Sequence, residues 1–285
     1  LVGMSAAMVR LARVWWDAPL AGWIAAAVAA LAHAQLDFWH TAQPESFGGM
    51  VTIFGLAVLG DALAEPPPAD PGPRDRAAGT SGGHLLRFAV AGALFGFAGL
   101  LKPPLAGAGA MVALAVYLRS RARGESFARA ARPIAAIALG GAAPFALCLA
   151  WFAAKGALGH LYQVLFVFTT PYPTLSWVGE TVPGMLYWAF PEWLVTYSSV
   201  PTVGVLLLLA VRPRPRERFG VAAGAVIVAL HLVGVAMQGK FFPYHYGATW
   251  PLTALLAGLG YERVYRAASR RGPAARADRR LRARR

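Results

Sequence analysis

Eight long apolar runs, separated by polar connections, dominate this sequence of 285 residues. An α-helix needs about 20 mostly apolar residues to cross the hydrocarbon core of a bilayer. The composition agrees, with 57% hydrophobic residues, 14% charged residues and a mean hydropathy of +0.50. The runs are 18–36, 47–64, 85–101, 104–118, 133–154, 193–211, 219–237 and 247–264. The sequence therefore predicts an all-α, polytopic transmembrane helix bundle of about eight spans, in which the short third and fourth runs are two spans or a re-entrant hairpin.

The basic residues separate by type along the chain. Of the 27 Lys and Arg, three are Lys, and the other 24 are Arg that fall in every second connection or at the two chain ends. Cytoplasmic connections carry an excess of basic residues, so the Arg-rich connections are predicted to face the cytoplasm from an inner (plasma) membrane. The remaining connections contain Lys102, Lys155 and Lys240. Chemistry is expected on this periplasmic or extracellular side, because the Arg-rich connections contain no Gly-rich phosphate loop or nucleotide fingerprint.

The chain divides into a transmembrane domain, 1–264, and a basic cytoplasmic tail, 265–285. A tail of this kind favours anionic membrane lipids as partners over nucleic acid. Within the domain, 65–84 is a Pro- and Gly-rich sequence typical of a cytoplasmic linker. Residues 1–16 are expected to be cytoplasmic or interfacial.

The outer segment 155–198 is rich in aromatic residues and too broken by proline to span a bilayer. Tyr and Trp rings prefer the headgroup level, so the segment is predicted to lie in the membrane interface. It is either a lid over a lipid or sugar site, with Glu180 and Glu192 as its polar candidates, or a plain aromatic belt.

The first outer connection places four polar side chains, Asp37, His40, Gln43 and Glu45, between two apolar runs. Ionisable groups at a membrane boundary are costly unless they are solvated or functional. We therefore take Glu45 and Asp37 as candidate catalytic carboxylates, and His40 and Gln43 as candidate substrate-binding groups. The alternative is a solvated loop in which Glu45 begins a helix and meets the positive end of its dipole.

The last outer connection contains Lys240, Tyr244 and His245 within six residues. A cation beside hydrogen-bond donors suits an anionic phosphate. These three residues, together with Lys102 on the same side, are the candidate substrate-binding groups for a phosphate. The alternative is a lysine that extends to the interface beside aromatic neighbours.

The sequence assigns no metal ligands, because no spacing of His and carboxylates forms a recognisable metal site. No cofactor is certain, and a role for a divalent metal stays open. The single cysteine, Cys148, excludes an internal disulfide. His33 and His231 lie inside apolar runs and are expected to be packed polar groups.

Three stretches of the chain resemble a known family. Residues 41–47 (TAQPESF), 96–104 (GFAGLLKPP) and 239–246 (GKFFPYHY) are similar to bacterial membrane glycosyltransferases of family 39. These are relatives of the dolichyl-phosphate-mannose protein mannosyltransferases and have the GT-C fold. The resemblance runs from about residue 18 to 264.

The resemblance implies an enzyme that transfers a sugar from a polyprenyl-phosphate-linked donor to a lipid, glycan or protein acceptor at the extracytoplasmic membrane face. Members carry a catalytic acid in the first outer loop, after the first span, and no residue of this chain matches it. The chain is therefore expected to be an N-terminally truncated fragment, in which Glu45 corresponds to a second acidic residue at the outer end of a span.

Two other functional classes stay open. One is a transporter or flippase for a lipid-linked saccharide, although transporters tend to keep ionisable groups near the bilayer midplane and to show internal repeats. The other is a protein that anchors a polysaccharide-synthesising complex without catalysis. The donor sugar, the acceptor and the oligomeric state do not follow from the sequence.

Overall fold

The computed structural model describes residues 1–35, 42–63, 82–171, 181–211, 214–239 and 241–271. Within these ranges the regular secondary structure is entirely helical, with no strand, which confirms the all-α prediction. The helices are α1 Val2–Trp16, α2 Pro19–Gln35, α3 Pro44–Val58, α4 Gly60–Leu63, α5 Gly82–Leu101, α6 Gly107–Ala122, α7 Phe127–Ala154, α8 Leu158–Tyr162, α9 Val182–Glu192, α10 Ser199–Ala210, α11 Arg218–Gln238 and α12 Trp250–Arg271.

Several of these helices are suited to a membrane. Three segments are long and apolar enough to cross one, namely His84–Leu101, Phe127–Ala154 and Pro215–Gln238. A fourth candidate joins Pro183–Thr196 to Ser199–Ala210 across a bend of 89°. Each of the eight apolar runs contains a helix, but α2 and α3 are shorter apolar helices, so the number of eight spans remains a prediction.

The first helix was not expected from the sequence. α1 packs antiparallel against α2, and Met8 and Leu11 are completely buried. The turn between the two helices is tight because Asp17 adopts a left-handed conformation with φ of 54°. Residues 1–16 therefore belong to the core of the bundle. Arg10 and Arg13 lower the hydropathy of this stretch, so its apolar face does not stand out in the sequence.

Two segment boundaries predicted from the sequence differ from those in the structure. The linker 65–84 overlaps α5, which begins at Gly82, and the tail 265–285 overlaps α12, which continues to Arg271. In both places a helix extends past its apolar core into polar residues, since backbone hydrogen bonding continues where the hydropathy signal ends.

Helices α5 and α7 run parallel and make very close contact. A Cβ atom at Gly92 would lie 2.2 Å from the carbonyl oxygen of Ile137, and one at Gly96 would lie 2.1 Å from that of Gly141. Two glycines four residues apart allow helix backbones to approach in this way. α7 is otherwise at the edge of the bundle, because only Ala130 and Ile137 of its 28 residues are buried.

Arg-rich connections lie at one end of the bundle. The Arg216 guanidinium lies 3.4 Å from the Asp17 carboxylate, and the Arg119 guanidinium lies 4.5 Å from the ring centroid of Phe219. Arg119 also donates a hydrogen bond to the Leu63 carbonyl. We call this the arginine end. α6 begins beside the opposite end and reaches this one. Two spans and a re-entrant hairpin both stay predictions for α5 and α6.

The outer segment 155–198 divides into exposed and buried parts among its described residues. Phe166, Tyr187 and Trp188 expose more than half of their surface, whereas Trp193 is buried and stacks on Tyr246. The exposed part is consistent with an interfacial aromatic segment. Glu180 lies outside the described residues.

Candidate functional site

The structure describes five of the eight predicted site residues. Asp37, His40 and Lys240 lie outside the described residues. The described ones are Gln43, Glu45, Lys102, Tyr244 and His245. Of these, Glu45, Lys102 and His245 come together at the end of the bundle opposite the arginine end, which we call the lysine end.

Glu45 occupies the first turn of α3. Gln43 precedes the helix with an extended backbone, and Pro44 is its first residue. Proline suits this position because its fixed φ matches the helix and its missing N–H is not needed there. Glu45 then lies at the positive end of the helix dipole. The helix start that the alternative interpretation assumed is therefore present, but its solvated loop is not, because Glu45 is buried.

Glu45 is also deeply buried, with only 2% of its surface exposed. A buried carboxylate is costly unless it is paired. Here the Lys102 ammonium forms an ion pair and a hydrogen bond with Glu45 Oε1. A residue in the first turn of a helix need not be buried. The position of Glu45 in α3 therefore does not by itself explain its burial and its ion pair with Lys102.

Lys102 reaches Glu45 from the break between α5 and α6. It follows Leu101 in an extended conformation and precedes a 3₁₀ turn, Pro103–Ala106. Its side chain remains 22% exposed. An ammonium has three N–H donors, so binding Glu45 leaves donors for a second anion at the exposed side.

His245 approaches the same carboxylate from the connection between α11 and α12. Its Nε2 atom lies 3.9 Å from Glu45 Oε1, and its residue is 5% exposed. A 3₁₀ turn places it there, in which the His245 N–H donates to the Phe242 carbonyl at 2.9 Å. The Tyr244 ring meets the imidazole edge-on at 4.5 Å, and the Phe242 ring stacks on Tyr244.

Close backbone contacts fix the position of this turn against α3. A Cβ atom at Gly247 would lie 2.7 Å from Ser46 Oγ, and one at Gly49 would lie 2.9 Å from the Ala248 Cα. Only glycine fits at these two places without displacing a neighbour. His231 adds a hydrogen bond from its buried ring, with Nδ1 3.2 Å from the Ala248 carbonyl oxygen, so it is a packed polar group as expected.

A second aromatic cluster flanks the turn. Trp193 stacks on Tyr246 with ring centroids 5.2 Å apart, and Phe241 is buried beside them. Burial, and to a smaller extent the Glu192 carboxylate, raises the pKa of Tyr246 to about 12. Phe241 has a φ of 51°, which is costly for a bulky residue and is often found at functional sites.

The assembled cluster contains one carboxylate, one ammonium and one imidazole at the lysine end. Its net charge is neutral, or +1 when His245 is protonated. Among the described residues no group of three His, Cys, Asp or Glu side chains could bind a metal ion. The sequence predicts separate roles for Glu45 and Lys102. Their pairing does not follow from the sequence, because the two residues are 57 positions apart and no local rule couples them.

Comparison of the chain with protein-family models, curated proteins and solved structures gives no match.

Proposed function

We propose that this chain transfers a sugar from a polyprenyl-phosphate-linked donor to an acceptor hydroxyl at the extracytoplasmic face of the membrane. The proposal includes eight membrane spans, an arginine end on the cytoplasmic side and membership of the family 39 glycosyltransferases. The observation that carries it is the buried cluster of Glu45, Lys102 and His245 at the end of the bundle that has the lysine and aromatic residues.

The reaction requires two kinds of group. An acceptor oxygen attacks the anomeric carbon, the bond from that carbon to the phosphate oxygen breaks, and the polyprenyl phosphate leaves with the bonding electrons. A base takes the acceptor proton, and cations or hydrogen-bond donors stabilise the leaving phosphate. Lys102 has an exposed side that suits the second role, and the sequence adds Lys240 and Tyr244 to it.

Glu45 and Asp37 are the two candidates for the base. Glu45 is almost fully buried and is bound by Lys102, so its geometry favours orienting Lys102 and His245 for phosphate. Its role as a catalytic base stays a prediction from the sequence, together with that of Asp37. The geometry of this cluster therefore supports a role in binding the lipid phosphate.

Binding and bond cleavage can be tested separately. The chain would be reconstituted in nanodiscs, and its affinity for undecaprenyl phosphate would be measured by native mass spectrometry. Loss of a charge-assisted hydrogen bond to phosphate costs about 1.5–3 kcal/mol, so Lys102→Met and Lys240→Ala should each weaken binding about tenfold or more. Lys102→Arg keeps the charge and should bind within about threefold of the parent, because Arg also binds phosphate.

Lys155→Ala is the matched control. Lys155 is exposed beyond α7, with its ammonium 5.0 Å from the ring centroid of Trp151, so its removal should leave binding unchanged. Equal binding by the parent and the two loss-of-charge variants would contradict the proposal.

The transporter alternative differs in the bond that is broken. Sealed proteoliposomes containing a radiolabelled undecaprenyl-phosphate hexose would be supplied with the chain and candidate acceptors. A transferase releases undecaprenyl phosphate, whereas a flippase moves the intact lipid across the bilayer. Movement without release of undecaprenyl phosphate would refute sugar transfer.

A further inference from the structure

A strongly cationic surface surrounds the start of α7 at the arginine end. The segment 119–132 contains five arginines and a single acid, Glu125. That carboxylate already has a partner, because it lies 3.8 Å from the Arg123 guanidinium. Arg129 and Arg132 are exposed and form no ion pair with any carboxylate in the described part of the chain. Their charges are therefore available to an anion from outside the chain.

The two arginines lie on one face of the first turns of α7, since residues three apart are neighbours on a helix surface. No acidic residue occupies the first turn, and the Ser126 hydroxyl accepts the Arg129 backbone N–H at 3.4 Å. The positive end of the helix dipole adds to the charge of the two side chains. Phe127 is 68% exposed, and its ring meets that of Tyr117 edge-on, which holds the start of α7 beside the end of α6.

The length of α7 gives the depth of these arginines in a bilayer. Its 28 residues extend about 42 Å at 1.5 Å per residue. The hydrocarbon core of a bilayer is about 30 Å thick, and the bilayer with its headgroups is about 40–45 Å thick. Arg129 and Arg132 lie about 3 and 8 Å along the helix from Phe127. In a helix that crosses the bilayer, both guanidinium groups therefore reach the level of the lipid phosphates.

An exposed apolar surface continues along α7 below Arg132. Its members follow one another at intervals of four residues, and they are Ala135, Leu139, Ala143 and Leu147. The acyl chains of a lipid can lie on this surface while its phosphate contacts the arginines above. An acidic soluble protein could match the charge, but it would leave the exposed Phe127 ring and this apolar surface without a partner. Basic residues beside exposed aromatic and aliphatic ones are typical of a membrane interface.

We propose that Arg129 and Arg132 bind the phosphate of an anionic phospholipid whose acyl chains lie along α7. A guanidinium group suits this role because its fork of N–H donors can bind two phosphate oxygens at once. A zwitterionic phospholipid carries its own cation beside the phosphate, so the site should prefer a lipid with net negative charge. The site is separate from the basic tail, 265–285, and it does not depend on sugar transfer at the lysine end.

The test is a titration of phosphatidylglycerol into the detergent-solubilised full chain, followed by native mass spectrometry. Each basic residue near a lipid phosphate contributes about 1 kcal/mol, which is about fivefold in affinity. Arg129→Gln and Arg132→Gln should each weaken the tightest binding event about fivefold, and the double variant about 25-fold. Arg129→Lys keeps the charge and should lose less than Arg129→Gln. Melting temperatures should stay within about 2 °C of the parent, because both side chains are exposed.

Arg216→Gln is the matched control. It removes the same charge from the same end of the bundle, but Arg216 already lies 3.4 Å from the Asp17 carboxylate. Binding of phosphatidylglycerol should therefore stay within about twofold of the parent. A phosphatidylglycerol with a diazirine in the upper part of an acyl chain should crosslink to the stretch of α7 that contains Ala135 and Leu139.

Three further probes identify the source of the phosphate. Phosphatidylcholine should bind more weakly than phosphatidylglycerol and should respond little to Arg129→Gln. Free glycerol 3-phosphate should not compete with the lipid, because it lacks acyl chains. Polyglutamate should not bind in an arginine-dependent way. If the double variant loses polyglutamate but keeps phosphatidylglycerol, the surface belongs to an acidic protein and the proposal is wrong.

The remaining outcomes separate this site from the proposed function. Lys102→Met should keep phosphatidylglycerol binding, and the double variant of Arg129 and Arg132 should keep binding of undecaprenyl phosphate. Unchanged phosphatidylglycerol affinity in the double variant, or crosslinks confined to the tail, would overturn the lipid site and leave the proposed function intact. Loss of undecaprenyl phosphate binding in the parent would overturn the proposed function and leave the lipid site intact.

Discussion

Replacing Lys102 by methionine should destabilise the folded protein, because it leaves the Glu45 carboxylate buried without its cation. Methionine keeps the apolar stem of lysine and removes only the ammonium, so the change reports on charge more than on packing. The Glu45 side chain is 3% exposed and that of Lys102 is 22% exposed. Because Glu45 is buried more deeply than Lys102, the two side chains contribute unequally to the loss of stability.

The magnitude follows from this difference. Removing one partner of a fully buried ion pair costs about 3–5 kcal/mol. Partial exposure of Lys102 lowers the cost, and the His245 imidazole lies 3.9 Å from the Glu45 carboxylate. We expect a loss of about 2 kcal/mol for Lys102→Met, which corresponds to a fall of about 4–8 °C in Tm for a chain of this size.

The measurement is thermal unfolding of the detergent-solubilised protein as a double-mutant cycle. Glu45→Gln with Lys102→Met removes both charges, so the double variant should lose at least about 1 kcal/mol less than the sum of the single changes. Lys155→Met, at an exposed site, is the control. Additive changes, or a Tm unaltered by Lys102→Met, would refute the argument that Glu45 needs Lys102.

Two more predictions address the aromatic cluster and the topology. The raised pKa of Tyr246, to about 12, stabilises the fold fully below the unfolded value of about 10, and the stabilisation is lost as the pH rises from 10 to 12. Thermal melts of Tyr246→Phe should therefore depend less on pH in that window than those of the parent, and identical profiles would contradict the assignment. In a Cys148→Ala background, an impermeant thiol reagent should label Ala42→Cys in intact cells and Arg123→Cys only after permeabilisation. Labelling of Arg123→Cys from outside would reverse the proposed topology.

The sequence by itself determined that the fold is all-helical. It also separated the Arg-rich connections from those that contain Lys. Apolar runs of helical length leave a chain few alternatives to a helix bundle, because backbone groups in an apolar environment must bond within their own segment. The separation of Arg from Lys along the chain corresponds to the arginine end and the lysine end. Local rules also allowed a helix to start three residues before the apolar run 47–64, where Pro44 and Glu45 suit the first turn of α3.

The tertiary structure alone decided which distant residues meet. Glu45, Lys102 and His245 belong to three separate connections, and no local rule couples their positions. Their contact depends on how closely helices approach, which Gly49 and Gly247 permit at the start of α3. The core position of α1 was likewise absent from the hydropathy pattern, since hydropathy measures the composition of a segment and not the shape of the surface that packs against it.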